Sequence, residues 1–138
     1  SSQWILIDAA RRRPIALREN LSMYQVIGER VIDTDFPKIS EPQRIDEAAE
    51  FFIRFDDIDL NNHVNNAVYP LWASEAVGID FRAAHTPAEI EVAFKKEGLY
   101  GEDIRVETEF DNLTTIHRIK ATGDGRELAR VRICWIGI

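Results

Sequence analysis

The sequence predicts an α+β fold in which one long helix packs against a curled antiparallel sheet. An apolar, strand-like run at residues 51–55 precedes a helical pattern at residues 65–77. Four later segments alternate apolar and polar residues, as half-buried strands do: 90–94, 104–110, 115–122 and 127–136. Gly123-Asp-Gly125 is typical of a hairpin turn between the last two. A helix covering one face of such a meander is the most economical packing.

The predicted helix has recognisable ends. Asn65 or Asn66 is the candidate N-cap, and Pro70 must lie in the first turn, where its missing N–H is harmless. Gly78 fits a left-handed residue that ends the helix. One face is predicted to carry Val68, Leu71, Trp72, Glu75 and Ala76.

The N-terminal third is less regular. Residues 3–8 are predicted to form a buried strand that stops at Arg11-Arg-Arg-Pro14. A proline-containing linker follows, with a domain boundary between residues 33 and 46. A short helix is expected to carry Leu21, Tyr24, Val26 and Ile27.

Composition excludes several classes of function. The chain has 138 residues, about one domain, and a net charge of −7, which disfavours nucleic-acid binding. We expect no membrane span and no N-terminal signal, because no apolar run is long enough and the first residues lack a charged region. Cys134 is the only cysteine and lies mid-strand, so a structural role in a cytoplasmic protein is predicted.

The segment 54–72 is the most informative. Three carboxylates, four carboxamides and one imidazole lie within eleven of its residues, between two apolar elements. Such side chains could cap a helix, bind a metal or perform acid–base chemistry. Calcium is disfavoured, because Asp57, Asp59 and Asn61 match EF-hand positions 1, 3 and 5 but glycine and glutamate are missing from positions 6 and 12.

Zinc is disfavoured too. His63 has no second histidine or cysteine at ligand spacing. His85 and His117 are isolated and are expected to be exposed or hydrogen-bonded. We therefore expect neither a metal nor another cofactor.

Acid–base chemistry remains, as a hydrolase using water or as a lyase. Asp59, Asn61 and His63 are two residues apart, so an extended chain would point them to one side. The N–H groups of the following helix start would stabilise a developing oxyanion. Together these groups suit attack on a carbonyl carbon.

The segment also closely resembles the signature of the acyl-acyl-carrier-protein (acyl-ACP) thioesterases, a family with the hotdog fold. The matching run is Asp57-x-Asp59-x-Asn61-x-His63-Val-Asn-Asn66-x-x-Tyr69-x-x-Trp72. Two further matches are Phe94-Lys-Lys-Glu97-Gly-Leu-Tyr-Gly101-Glu102 and Trp4-Ile-Leu-Ile-Asp8 with Arg12-Arg-Pro14. Because the family has two tandem hotdog domains, the resemblance implies that residues 1–45 end a first repeat and residues 46–138 form the second, catalytic one.

The resemblance implies the site residues. Asp59 would orient its neighbours, Asn61 and His63 would hold water and thioester, and Glu97 would activate the water. Asn65, Asn66, Tyr69 and Trp72 are the candidate substrate contacts, although Tyr69 and Trp72 also suit core positions. Many plant members of the family have a cysteine after that glutamate, where this chain has Gly98. This departure argues against a covalent cysteine mechanism for this chain.

The implied function is hydrolysis of acyl-ACP to free fatty acid by carboxylate-activated water. The alternatives are an acyl-CoA thioesterase, a hotdog dehydratase, or a non-catalytic acyl-binding domain if the first repeat is missing. The implied partners are acyl-ACP and a second hotdog domain, in a homodimer or a pseudo-dimer. A basic stripe is a candidate surface for the acidic carrier: Lys95, Lys96, Arg118, Lys120, Arg130 and Arg132.

Overall fold

The computed structural model describes residues 7–8, 10–11, 13–16, 21–24 and 37–138. The chain forms two compact units, residues 1–37 and 38–138. In the first, strands β1 (Ile7–Asp8) and β2 (Arg13–Pro14) pair antiparallel. The predicted strand at residues 3–8 is therefore confirmed where it is described, and its remainder lies outside the described residues.

Two N-terminal predictions are corrected. Residues 13 and 14 do not simply stop the first strand, because the Asp8 carboxylate accepts the N–H groups of Ala10 and Arg11 and turns the chain back on itself. Leu21 and Tyr24 lie in a turn closed by a 3.0 Å hydrogen bond from Tyr24 N–H to the Leu21 carbonyl, not in a helix. The other predicted members of that helix, Val26 and Ile27, lie outside the described residues.

The second unit is a five-stranded antiparallel sheet with two helices, in the strand order β3-β5-β6-β7-β4. The predicted α+β class and the four later strands are confirmed. Among the residues that the structure describes, no helix is long and apolar enough to cross a bilayer. In chain order the elements are β3 (Glu47–Phe52), a 3-10 turn (Phe55–Asp57), α1 (Val68–Glu75), α2 (Ile79–Ala84), β4 (His85–Phe94), β5 (Asp103–Asp111), β6 (Thr114–Ala121) and β7 (Glu127–Gly137).

The first strand of this sheet lies earlier than predicted. It was expected at residues 51–55 but ends at Phe52, which pairs with Asp103, the first residue of β5. Beyond that pair the partner strand ends and the chain enters the 3-10 turn. The predicted hairpin turn between β6 and β7 is confirmed, with Gly125 at φ +72° donating its N–H to the Ala121 carbonyl.

The helical segment differs from the prediction in start, length and phase. Helix α1 begins at Val68 with Ala67 as N-cap, so neither Asn65 nor Asn66 is the N-cap, while Pro70 does lie in the first turn. Gly78 has φ +80° and ψ 159°, a conformation that is essentially restricted to glycine but is not left-handed helical, and it separates α1 from the unpredicted α2.

The predicted buried face of the helical segment is correct only in part. Trp72 and Ala76 are buried and Val68 packs against the core, as predicted. Leu71 is 62% exposed and Glu75 is exposed too, whereas Tyr69 and Ala73 are buried instead. Both sets of residues have helical spacing and share Trp72, so periodicity alone does not distinguish them. Packing selects the observed phase, because the sheet offers the Tyr69 ring a contact with Phe94 at a centroid distance of 5.5 Å.

The core lies between α1 and one face of the sheet. Alternate residues of β5, β6 and β7 point inwards, as the strands' two-residue period requires. The buried apolar residues of these strands are Ile104, Val106, Ile119, Ala121, Leu128, Ala129, Val131, Ile133 and Trp135.

Ion pairs cover the opposite face. Glu107 is only 4% exposed, and Arg118 and Lys120 each place a nitrogen 2.7 Å from its carboxylate. Burial would raise the pKa of Glu107, but the hydrogen bonds from Lys120 and Arg118 outweigh it and lower that pKa. The segment preceding β3 crosses this face, where Arg130 donates to the Ile39 carbonyl.

A buried histidine lies in the core between β5 and β6. His117 is fully buried, and its two ring nitrogens lie 2.9 Å and 2.8 Å from the hydroxyls of Thr108 and Thr115. Thr115 also accepts the indole N–H of Trp135. Burial lowers the pKa of His117 to about 3, so the imidazole is neutral in the folded chain. His85 is hydrogen-bonded as well, at 2.9 Å from the Phe81 carbonyl, so the expectation for both histidines is confirmed.

This histidine predicts a pH dependence of stability. The unfolded imidazole gains a proton below about pH 6.5, whereas folded His117 stays neutral down to about pH 3. The equilibrium constant for folding should therefore fall by up to about tenfold per pH unit as the pH falls through that window. NMR titration should show no protonation of His117 above about pH 4, and urea unfolding at pH 7 and 5 should show a smaller difference for His117→Gln than for His85→Gln. Protonation of His117 near pH 6 would contradict this account.

Candidate active site

The loop between β3 and α1 closes on itself. Ile58 and Val64 form an antiparallel bridge, and within it the Asp59 N–H donates to the His63 carbonyl at 2.8 Å. Asn62 makes the turn possible with φ +62°, a conformation that asparagine tolerates better than most residues. The residues between the bridge partners are therefore held in one compact turn.

The carboxylate of Asp59 organises this turn. One oxygen accepts the backbone N–H groups of Asn61 at 2.8 Å and His63 at 3.4 Å, and the other accepts the Asn61 side-chain amide at 3.3 Å. The Asn61 backbone hydrogen bond is the main reason that the pKa of Asp59 is lowered. Asp59 is therefore an ionised group whose two oxygens are already used in shaping the turn.

The imidazole of His63 faces the carboxylate of Glu97. Its Nε2 atom lies 3.3 Å from Oε2 of Glu97, and the two side chains are 37% and 63% exposed. The structure thus brings together two groups capable of exchanging protons, in a place that water reaches.

A bulge at the end of β4 delivers Glu97 to this position. The N–H groups of Lys95 and Lys96 both donate to the Leu128 carbonyl, at 2.8 Å and 3.2 Å. Two residues therefore oppose one, which is a bulge, and bulges redirect a strand and its side chains. The redirected chain leaves the sheet and approaches the loop that carries His63.

Gly98 joins that chain to the loop and to helix α1. Its carbonyl accepts the Val64 N–H at 3.0 Å, and its N–H donates to the Tyr69 hydroxyl at 3.3 Å. A Cβ at this position would lie 3.0 Å from Val64 Cγ2 and 3.1 Å from Ile53 Cδ1. A side chain at this position would therefore require the side chains of Val64 and Ile53 to move by a few tenths of an ångström.

The candidate substrate contacts divide into two pairs. Tyr69 and Trp72 are 2% and 6% exposed, and their rings pack edge to face at 5.4 Å. Asn65 and Asn66 lie in the exposed turn before α1, where Asn65 Oδ1 accepts the Ala67 N–H at 3.0 Å. The first pair thus lies in the core and the second at the surface, next to the loop.

The helix start offers fewer free N–H groups than expected. The N–H groups of Ala67 and Val68 are both bonded to Asn65, through its side chain and its carbonyl. Within the described residues, Asn66 N–H has no acceptor in the protein. It is the remaining candidate for an oxyanion donor in this turn.

Two charged residues contact the segment around Glu97: Arg126, which sequence reasoning missed, and Glu102, the last residue of the second matching run. Arg126 Nη2 lies 2.5 Å and 2.6 Å from the carboxylate oxygens of Glu102, and Glu102 accepts the Leu99 N–H at 2.9 Å. No sequence signal pointed to Arg126, because it comes from the distant β6–β7 turn.

The predicted basic stripe is largely neutralised. Four of its six members are in ion pairs with glutamates, namely Arg118, Lys120, Arg130 and Arg132. Lys95 and Lys96 are exposed and have no ion pair among the described residues. The same part of the chain contains no group of three acidic, histidine or cysteine side chains arranged to hold a metal.

Comparisons with known proteins place this geometry in context. Residues 40–137 match the family model of the acyl-ACP thioesterase C-terminal domain. No curated protein matches the chain.

Among solved structures, a Lactobacillus plantarum protein provisionally named an oleoyl thioesterase matches with a TM-score of 0.76 and 26% identity, over 96% of this chain and 54% of its own. The 12:0-ACP thioesterase from Umbellularia californica matches with a TM-score of 0.74 and 18% identity, over 96% of this chain and 53% of its own. A 1,4-dihydroxy-2-naphthoyl-CoA thioesterase from Synechocystis matches with a TM-score of 0.59 and 14% identity, over 67% of this chain and 81% of its own. The predicted hotdog fold is thereby confirmed, and the chain spans about half the length of the first two proteins.

The junction at Gly98 predicts a specific sensitivity. Gly98→Ala should destabilise the chain by about 1–3 kcal/mol, because its Cβ would force apart Val64 and Ile53. Gly123→Ala is the matched control, since a Cβ there meets nothing within 4 Å. Urea unfolding measures both. Equal midpoints for the two variants would contradict the tight packing described here.

Proposed function

Because this chain belongs to the acyl-ACP thioesterase C-terminal domain family, we propose that it hydrolyses acyl-ACP to free fatty acid, with water activated by Glu97. The observation that supports this most directly is the 3.3 Å contact between Glu97 and His63. An exposed carboxylate beside an imidazole is a pair suited to moving a proton from water.

The proposed reaction needs no covalent enzyme intermediate. Glu97 accepts a proton from water while the water oxygen bonds to the thioester carbon, and His63 and Asn61 position the water and polarise the substrate. The carbon–sulfur bond then breaks, and the leaving thiolate takes up the proton held by Glu97, which returns to its carboxylate form. Glu97 is a better candidate base than Asp59, because both Asp59 oxygens already accept hydrogen bonds from Asn61.

The oxyanion formed in this reaction needs a donor. Asn66 N–H suits that role, because the N–H groups of Ala67 and Val68 are already bonded to Asn65. Donors held rigidly by a turn stabilise developing charge without having to reorganise during the reaction. Asn65 and Asn66 thus contribute to the proposed site through the turn they form.

The two positions considered for a cysteine nucleophile do not favour one. Gly98 has no side chain, and a Cβ there would pack tightly against Val64 and Ile53. Cys134 lies in β7, where its sulfur is 3.9 Å from the Thr114 hydroxyl and 3.8 Å from Arg132. Neither residue places a thiolate beside His63.

A second hotdog domain is the proposed structural partner. β4 is an edge strand of the sheet, and Ile90 and Phe94 on it are 41% and 48% exposed. Unpaired edges with exposed apolar residues favour pairing with another strand. The partner domain would come from the same protein or from a second copy of it.

A cytoplasmic location is proposed as well, because a chain with a single cysteine suits a reducing compartment.

The proposed acyl carrier of the thioester substrate is the acidic carrier protein. Lys95 and Lys96 directly precede Glu97 and have no ion pair among the described residues, so they can meet an anionic partner at the mouth of the site. The main alternative, an acyl-CoA thioesterase, would use the same reacting groups with a smaller handle. Comparing the two thioesters distinguishes them.

Removing the reacting groups should abolish most turnover. In the longest natural form of the protein, Asn61→Ala, His63→Ala and Glu97→Ala should each lower hydrolysis by roughly 100-fold or more. Release of free thiol from a panel of acyl thioesters measures the rates. Near-normal hydrolysis by all three variants would refute the assignment.

Recognition of the carrier predicts a charge effect. Lys95→Glu with Lys96→Glu should raise the KM for acyl-ACP, more at low salt than at high salt, because surface attraction is screened by ions. Lys38→Glu is a control, since it removes another exposed lysine from the segment preceding β3. If the enzyme turned over acyl-CoA alone, or if the KM for acyl-ACP were the same with and without the Lys95 and Lys96 substitutions, the acyl-CoA thioesterase would be favoured.

A further inference from the structure

We propose that Arg126, in the turn between β6 and β7, is a positioning residue that holds Glu97 opposite His63. The inference rests on the proposed function, because that function makes Glu97 the base. Arg126 does not touch the reacting carboxylate. It acts through the backbone of the segment that carries it.

The side chain of Glu97 is not held in place by packing. It is 63% exposed, and the polar contact found for its carboxylate among the described residues is the one with His63. A long, exposed side chain samples several rotamers. The reach of its carboxylate therefore depends on where the backbone of residues 95–102 is fixed.

Arg126 contacts that backbone directly and indirectly. Its Nη2 atom donates to the Glu97 carbonyl at 3.4 Å and lies 2.5 Å and 2.6 Å from the oxygens of Glu102. Glu102 in turn accepts the Leu99 N–H at 2.9 Å. One guanidinium thus connects the residue carrying the base with the residues after it.

Arg126 is itself well anchored. Its Nη1 atom lies 2.8 Å from Oδ2 of Asp124, whose other oxygen accepts the Arg126 N–H at 3.1 Å. Its carbonyl accepts the Ala121 N–H at 3.0 Å, at the base of the hairpin. The hydrogen bond to Glu102, and to a lesser extent the one to Asp124, raises the pKa of Arg126. The guanidinium, which clamps the segment around Glu97 through Glu102 and the Glu97 carbonyl, therefore stays charged wherever the protein is folded.

The fold does not depend on this clamp alone. Gly98 is bonded to Val64 and Tyr69, and the Gly101 N–H donates to the Ile53 carbonyl at 3.1 Å. These bonds would keep the segment attached without Arg126. What would be lost is the precise placement of Glu97, and displacements of about 1 Å can lower catalytic rates by 10²-fold.

Two substitutions test the clamp in the longest natural form of the protein. Arg126→Gln should lower kcat for an acyl thioester by about tenfold or more while changing KM little, because positioning of the base affects the chemical step. Arg126→Lys should recover part of kcat, since an ammonium can pair with Glu102 but lacks the forked donors. Glu102→Gln should give the same selective loss, and it serves as the readout if Arg126→Gln does not fold.

Arg105→Gln is the matched control. Arg105 also lies between two carboxylates, at 3.2 Å from Glu50 and 3.8 Å from Glu107, but neither contact involves residues 95–102. The substitution should change kcat by no more than about twofold. An equal loss in Arg105→Gln and Arg126→Gln would mean that general destabilisation explains both, and would overturn the inference.

A double-mutant cycle gives the decisive readout. If Arg126 acts only through Glu97, then adding Arg126→Gln to Glu97→Ala should lower kcat by less than about twofold. The same large loss in both backgrounds, or no loss in the wild-type background, would overturn the inference. Near-normal rates for His63→Ala and Glu97→Ala would instead overturn the proposed function, so the two failures are distinguishable.

Discussion

The hydrogen-bonded junction at Gly98 is the constraint on which the candidate site depends. It ties the end of β4 to the loop through Val64 and to helix α1 through the Tyr69 hydroxyl. Because Gly98 also lacks a Cβ, the side chains of Val64, Ile53 and Leu128 pack to within 3.0–3.3 Å of the point where a Cβ would lie. The contact between Glu97 and His63 depends on this junction, since neither side chain is buried enough to be placed by its own packing.

Carboxylates do two different kinds of work in this acidic chain. Asp57 is 3% exposed and bonded to Arg54, and Glu107 is 4% exposed and bonded to Arg118, so burial of each charge is compensated by an arginine. Glu97 is different, because it is exposed and faces an imidazole. Glu97 thus remains available for proton transfer, whereas the carboxylates of Asp57 and Asp59 accept hydrogen bonds that shape the loop.

The fold could be predicted where local patterns dominate. Alternation identified β4 to β7 because each of these strands has one face against the core, and the Gly123–Gly125 turn separated the last two. The phase of α1 could not be predicted in the same way, because a set containing Leu71 and a set containing Tyr69 both have helical spacing around Trp72. The basic stripe was visible as alternating cations, but not the glutamates that neutralise most of it from neighbouring strands.

By itself, the sequence determined the α+β class, the later strands and the polar loop before the helix, since these depend on residues close together in the chain. The importance of Glu97 came from the family resemblance, because an isolated glutamate after a strand has no distinctive local pattern. Only the tertiary structure decided that Glu97 meets His63 and that Arg126 holds its backbone. Those contacts join separate elements. Their distances depend on how the bulge after β4, Gly98 and the β6–β7 hairpin pack together, and local periodicity does not encode that packing.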